Sequence, residues 1–376
     1  MRICIATCWD DGFLRRLAAL SRPGATVHEV FGSLPRSATG SGRDAALLPP
    51  VTAAAVRRHV AAAHAAGIRF NYLMNGACTG GAEFTARGRA DLVRQLRWVD
   101  SIGADAVTVA TPLLVELARE VAPRIEVVIS TITHVDSLAT VRAYREIGAR
   151  RITLATRINR DLDLLRSLAD KAGLELELLA NEMCRFQCPM RPYHYGLMSH
   201  ASLQHASRPP VEYPHMNCSL ERMVHPGELL KARFIRPEDV AAYEERGIDF
   251  IKIAGRGRDA DWLLRAARAY LERRWDGNLV DLSDLGMWSG DGMDPPRIVV
   301  DNRALDGFLG AVAAIDCARE CEVSCTLCDQ LAERAVRVDG AGPYVEALRQ
   351  ARQAAIEPDG RKLPEMVDRP GTRGRR

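Results

Sequence analysis

No charge of one sign dominates this sequence: 51 Lys+Arg stand against 48 Asp+Glu over 376 residues, a net +3. That balance excludes a uniformly basic nucleic-acid coat and makes a large RNA a less expected partner than a small molecule. Aromatic residues are scarce at 6%, which argues against stacked platforms for single strands. No apolar run reaches the ~18 residues of a membrane helix, so no membrane span is expected. The first residues meet Asp10 and Asp11 before any long apolar run develops. They read as a strand, not a secretory signal, and the expected compartment is the cytoplasm. Also missing are the His-Glu-x-x-His of a metalloprotease, the Gly-x-Ser-x-Gly of a hydrolase elbow and a Gly-x-Gly-x-x-Gly after the first strand.

What is present is regular alternation. Strand-like runs fall at Ile3–Ala6, Val27–Phe31, Phe70–Met74, Ala106–Val109, Glu126–Ser130, Arg151–Leu154, Leu176–Leu179 and Phe250–Ala254. Helical patterns separate most of them: Thr52–Ala66, Ala86–Ile102, Pro112–Val121, Val135–Ile147 and Arg160–Ala172. Gly67, Gly103, Gly148 and Gly173 stand where left-handed helix caps belong, each shortly before an apolar run. Such alternation means parallel strands with helical crossovers, and eight of them fit a closed (β/α)8 TIM-like barrel better than an open Rossmann-type sheet.

The barrel is expected over residues 1–275. A long irregular insertion, 181–248, carries cysteines, histidines and the dipeptide Pro209-Pro210; long insertions in compact domains are usually functional. A cysteine-rich module is expected at 276–340, then a helix and a disordered basic tail over 341–376.

Seven of ten cysteines form two groups. Cys184, Cys188 and Cys218 lie in the insertion. Cys317, Cys321, Cys325 and Cys328 occupy twelve positions near the end. Without an export signal these are metal ligands sooner than disulfides, and soft thiolates select zinc or iron–sulfur clusters. Buried free cysteines are the plainer alternative for the first group. In the second group only the last pair has the tight spacing zinc prefers, so serial iron–sulfur ligation is expected, with zinc as the alternative. Its last three cysteines match radical-SAM spacing, but their place near the end and Leu327 in the usual aromatic position make that match coincidental. Cys4, Cys8 and Cys78 read as core or strand-end residues.

The run Glu182-Met183-Cys184 through Cys188 and Cys218, then Arg236-Pro237-Glu238-Asp239 and the segment Gly247 to Arg256, resembles the collagenase-like U32 peptidase family. The resemblance covers about residues 1–275, the earlier part resting mainly on the barrel pattern. It implies a barrel bearing a 4Fe–4S cluster. Its better-understood members resemble oxygen-independent hydroxylases of RNA bases or quinone precursors, with prephenate as oxygen donor; others carry a protease label. Three departures stand out. The first cysteine pair is tighter than the family norm, Val240 stands about where a fourth cysteine is expected, and Ala254 replaces a glutamate. The four late cysteines then either supply the missing ligand or hold a cluster of their own.

Other candidates follow from position. Glu182, Lys252 and Arg256 are expected at the carboxyl ends of strands seven and eight as catalytic groups, sharing a rim with the metal ligands. Asn75, Glu83, Arg36, Arg43, Asn181 and His200 are expected to bind substrate, and His194, His205 and His215 accompany His200 in the insertion. The expected reaction is oxygen-independent hydroxylation or related redox modification of a small molecule or nucleotide, using a small anionic donor. The expected partner is a redox protein or a second family member. The alternatives are a peptidase or other hydrolase, and a non-catalytic iron–sulfur subunit.

Overall fold

Glycine caps and short apolar strands alternate as the sequence suggests, and eight strands close on themselves. The structure is a computed structural model describing residues 1–204, 212–289 and 294–357. His205, Pro209-Pro210 and the tail from residue 358 lie outside the described residues. The strands are β1 (Arg2–Ala6), β2 (Thr26–Gly32), β3 (Arg69–Met74), β4 (Ala106–Val109), β5 (Glu126–Ile129), β6 (Arg151–Thr153), β7 (Glu175–Leu179) and β8 (Phe250–Ile253). Each pairs in parallel with the next, and β1 pairs with β8, giving a closed (β/α)8 barrel. An open sheet is excluded by that last pairing.

Helices α1 (Asp11–Ala18), α2 (Ala53–Ala65), α3 (Ala86–Ser101), α4 (Pro112–Val121), α5 (Leu138–Glu146) and α6 (Leu162–Ala172) fill the crossovers. Only α1 has no counterpart among the expected helices. The four cap glycines all take positive φ, from +66° at Gly173 to +111° at Gly148. On α3, Leu92, Leu96 and Val99 form one buried stripe, the spacing that seats a helix on a sheet.

The chain divides into two compact units. The first comprises Met1–Asn181, Tyr195–Arg208 and Phe234–Arg274. The second comprises Glu182–His194, Pro209–Arg233 and Trp275–Arg376. The insertion is therefore shared out between the units.

Nor is the insertion irregular, as expected above. It holds α7 (Arg191–Ala201), α8 (Tyr213–Val224), α9 (Gly227–Lys231) and α10 (Val240–Glu244). After α11 (Ala260–Glu272) on the barrel, the second unit adds β9 (Arg297–Val300), α12 (Phe308–Ala313), α13 (Cys317–Glu320), α14 (Leu327–Ala335), β10 (Val336–Asp339) and α15 (Ala341–Ile356). β9 and β10 form an antiparallel pair.

Charge fills part of the barrel interior. Arg151 on β6 donates to Glu29 on β2 at 2.6 Å and to Glu177 on β7 at 3.4 Å, and its Nη1 lies 3.2 Å from Cys4 Sγ on β1. Strands that do not neighbour each other meet this way only through the interior. Lys252 Nζ and Thr153 Oγ1 also donate to Glu177, at 2.9 and 2.6 Å. Asn71 donates to Glu29 at 2.9 Å, and Thr108 donates to Asn71.

Candidate functional site

The second unit gathers both cysteine groups. Asp316 caps α13, which begins at Cys317, and α14 carries Cys328 in its first turn. Between them the chain turns back so that the backbones of Cys321 and Cys325 meet in an isolated β-bridge, both thiols being free. Cys317, Cys321, Cys325 and Cys328 all line one cavity, together with Phe186, Lys231 and Arg233. Four thiols facing one space beside cationic side chains suit a ligand set that becomes anionic on deprotonation.

A tetrahedral zinc with Zn–S near 2.3 Å holds its sulfurs about 3.8 Å apart. Among the described residues, only Cys4, Glu29 and Glu177 bring three ligand atoms within 4.8 Å of one another. Cys317, Cys321, Cys325 and Cys328 share one cavity, but no three of their sulfurs lie within 4.8 Å of one another.

Cys4, Glu29 and Glu177 are themselves a poor metal site. Arg151 and Lys252 already supply the positive charge those carboxylates need.

Cys184, Cys188 and Cys218 form the earlier group. Burial pushes the Cys184 thiol well up, with Glu182 and Cys218 adding to the effect. Burial likewise raises Cys218; Arg222 opposes this, and Cys188 adds to it. Cys218 thus lies near enough to both Cys184 and Cys188 for thiolates at these positions to repel it. Arg222 Nη1 stands 3.6 Å from Cys218 Sγ, and its Nη2 donates to Met183 O at 2.5 Å. Both groups carry a non-glycine residue in the left-handed region: Gln187 at φ +50° before Cys188, and Glu322 at φ +62° after Cys321. Such strain collects at ligand clamps. Val240 is a buried aliphatic residue of α10 and offers no ligand atom.

The remaining candidates separate. Arg256, at 9% exposure, donates to Ser33 Oγ at 3.4 Å and Ser41 Oγ at 3.3 Å. Asn75 donates to Ser130 Oγ, and its Oδ1 accepts from the Gly42 amide. These groups belong to loops that follow strand ends. Asn181 exchanges two bonds with the Ala254 backbone and so locks the end of β8.

Lys252, expected at the rim, directs its amine inward to Glu177 and over the Phe31 ring. Glu83, Thr79 and Gln204 line a separate cavity of the first unit. Arg36 is exposed and donates to Leu203 O, while the Arg43 amide donates to Ser41 Oγ. His200 is exposed on α7. His194 and His215 share the Glu212 carboxylate at 2.9 and 3.2 Å.

Three arrangements escaped the sequence reading: the ion-paired barrel interior, the carboxylates around Lys231, and a relay in which Thr7 Oγ1 meets His59 Nε2 at 2.6 Å and His59 Nδ1 meets Asp11 at 2.9 Å. Each joins residues far apart in the chain and has no local motif.

Fold and thiols together define a TIM-barrel protein with a thiol-rich second unit. The description Peptidase family U32 matches residues 50–202. A Methanocaldococcus jannaschii protein named as an uncharacterized protease is 33% identical over 320 residues, covering 82% of this chain and 89% of its own. The solved U32 peptidase Mk0906 shares the fold at TM-score 0.50 and 20% identity, over 68% of this chain and 93% of that one. The chain belongs to peptidase family U32.

Proposed function

We propose that this protein is an iron–sulfur enzyme carrying out oxygen-independent hydroxylation, or a related redox modification, of a small molecule or nucleotide. The observation that supports it most is the convergence of Cys317, Cys321, Cys325 and Cys328 on one cavity. Cys184, Cys188 and Cys218 would hold a second centre with one position left open. A cluster there would supply one-electron chemistry and an open iron. The rest falls to the chain's own groups. Arg256 with the Ser33 and Ser41 hydroxyls binds the carboxylate of a small anionic donor. Glu182 accepts or returns a proton, and Lys252 keeps the last strand electrically tied to β7.

The test is anaerobic purification with a visible spectrum and counts of iron, sulfide and zinc. Turnover with prephenate as donor follows, in isotope-labelled water. Arg256→Ala is expected to abolish turnover with the cluster intact. Colourless protein containing only zinc would overturn the reading.

The peptidase reading has one observation in its favour, the Thr7–His59–Asp11 relay, whose order matches a nucleophile, base and orienting acid. Thr7 and His59 are only 1% and 2% exposed, however, so a peptide bond has no approach to the hydroxyl. Peptide cleavage by metal-free protein, lost in Thr7→Ala and indifferent to the cysteines, would restore it.

A further inference from the structure

We infer that the two thiol groups hold two adjacent redox centres connected in series, with Phe186 and an ion-pair chain through Lys231 as their common wall. This rests on the iron–sulfur reading above and adds a direction of electron flow within one chain.

The wall is built from residues that neighbour the ligands in sequence. Phe186 lies between Cys184 and Cys188, yet it also lines the cavity of the four late thiols. Arg233 lies over its ring, 3.6 Å from the centroid, and lines the same cavity. Arg185, next to Cys184, donates to Glu228 at 2.7 Å. Glu228 meets Lys231 at 3.1 Å. Lys231 in turn meets Glu322, next to Cys321, at 2.7 Å and Asp329, next to Cys328, at 3.3 Å. A continuous path of charge therefore runs from one thiol loop to the other. Gly227 at the start of α9 makes the approach close: a Cβ there would stand 1.9 Å from Asp329 Oδ1.

Chemistry assigns the direction. A centre ligated by four thiolates has no free iron and can only pass electrons, whereas one held by three thiolates keeps a position for substrate. The turn joining Cys321 to Cys325 carries Val323 at 83% exposure, so an external reductant can reach it. A low-potential one-electron reductant gives one electron to the four-thiol centre. That centre is then oxidised by one electron as the three-thiol centre is reduced by one; no bond forms or breaks and no proton moves. Lys231 and Arg233 stabilise the added negative charge, so removing the Lys231 charge makes reduction harder.

The experiment uses full-length, anaerobically purified protein reduced with dithionite and read by electron paramagnetic resonance, with iron and sulfide counted. Wild type is expected to hold two clusters and to show signals broadened by spin–spin interaction. Cys325→Ser with Cys328→Ser is expected to cut iron to about half and leave one narrow signal. Cys184→Ser with Cys218→Ser is expected to do the same from the other side, which covers the case in which one pair of variants fails to fold. Lys231→Gln is expected to keep both clusters and lower the midpoint potential of the four-thiol centre.

Two clusters whose spectrum equals the sum of the two single-cluster variants, with no broadening and no shift in Lys231→Gln, would overturn the series arrangement and leave the iron–sulfur reading standing. Iron-free protein, even after reconstitution, would overturn both.

Discussion

Arg151 is a guanidinium with almost no contact with water, at 1% exposure, held between Glu29 and Glu177. Charges so placed are costly to bury, and removing one partner of a buried pair typically costs about 3–5 kcal/mol. Glu177 shows the balance. Burial alone would raise its pKa, but Lys252, Arg151 and the hydrogen bonds from Thr153 and Lys252 outweigh that and hold it at about 2, below its usual 4.5. A depressed carboxyl stabilises the folded state above the unfolded pKa and loses that contribution as pH falls through the folded one. The stability advantage of the native chain over Glu177→Gln is therefore expected to be full above pH 4.5 and to shrink towards pH 2. Urea midpoints measured across that range check it; an advantage that stays constant with pH would contradict the ion-pair account. None of this was legible in the strands. In sequence Glu29, Arg151 and Glu177 are single charged residues within separate strand-like runs, and only closure of the barrel turns them towards one another.

At the scale of elements, the caps carry the barrel's regularity. Gly148 ends the α5 segment at φ +111°, and a Cβ there would lie 2.0 Å from Arg119 Cδ. Gly148→Ala is expected to cost ~1–2 kcal/mol through backbone strain and the displaced arginine, read as a lowered melting temperature; an unchanged one would show that the turn relaxes freely. These glycines made the barrel legible, because a left-handed cap before an apolar run marks a crossover without any distant contact. The helices of the insertion were not legible. Pro192 and Pro214 fall in the first turn of a helix, in α7 and α8, where proline does no harm. Lys252 likewise sits at the strand end that the sequence indicates, but its amine is engaged by a residue 75 positions away.

At the scale of the whole molecule, the two units rest on different kinds of stability. The first has a closed sheet and a large apolar core, whereas the second contains all seven grouped thiols, which on the reading proposed above would be tied together by metal. Ligand sites of this kind couple metal binding to folding. Iron removal by a chelator is expected to speed hydrogen exchange at residues 184–188, 218 and 317–328, and to leave β1–β8 protected. Uniform loss of protection, or none, would contradict this.

The second unit is also assembled from three separated stretches of chain. During synthesis Cys184, Cys188 and Cys218 leave the ribosome ahead of Cys317, and at 5–20 residues per second the interval of about a hundred residues lasts about 5–20 s. For that time the early thiols have no finished pocket around them and stand open to oxidants and to stray metal ions. On the iron–sulfur reading proposed above, maturation would require a cell that keeps nascent thiols reduced and delivers iron and sulfide only after Cys328 has been made.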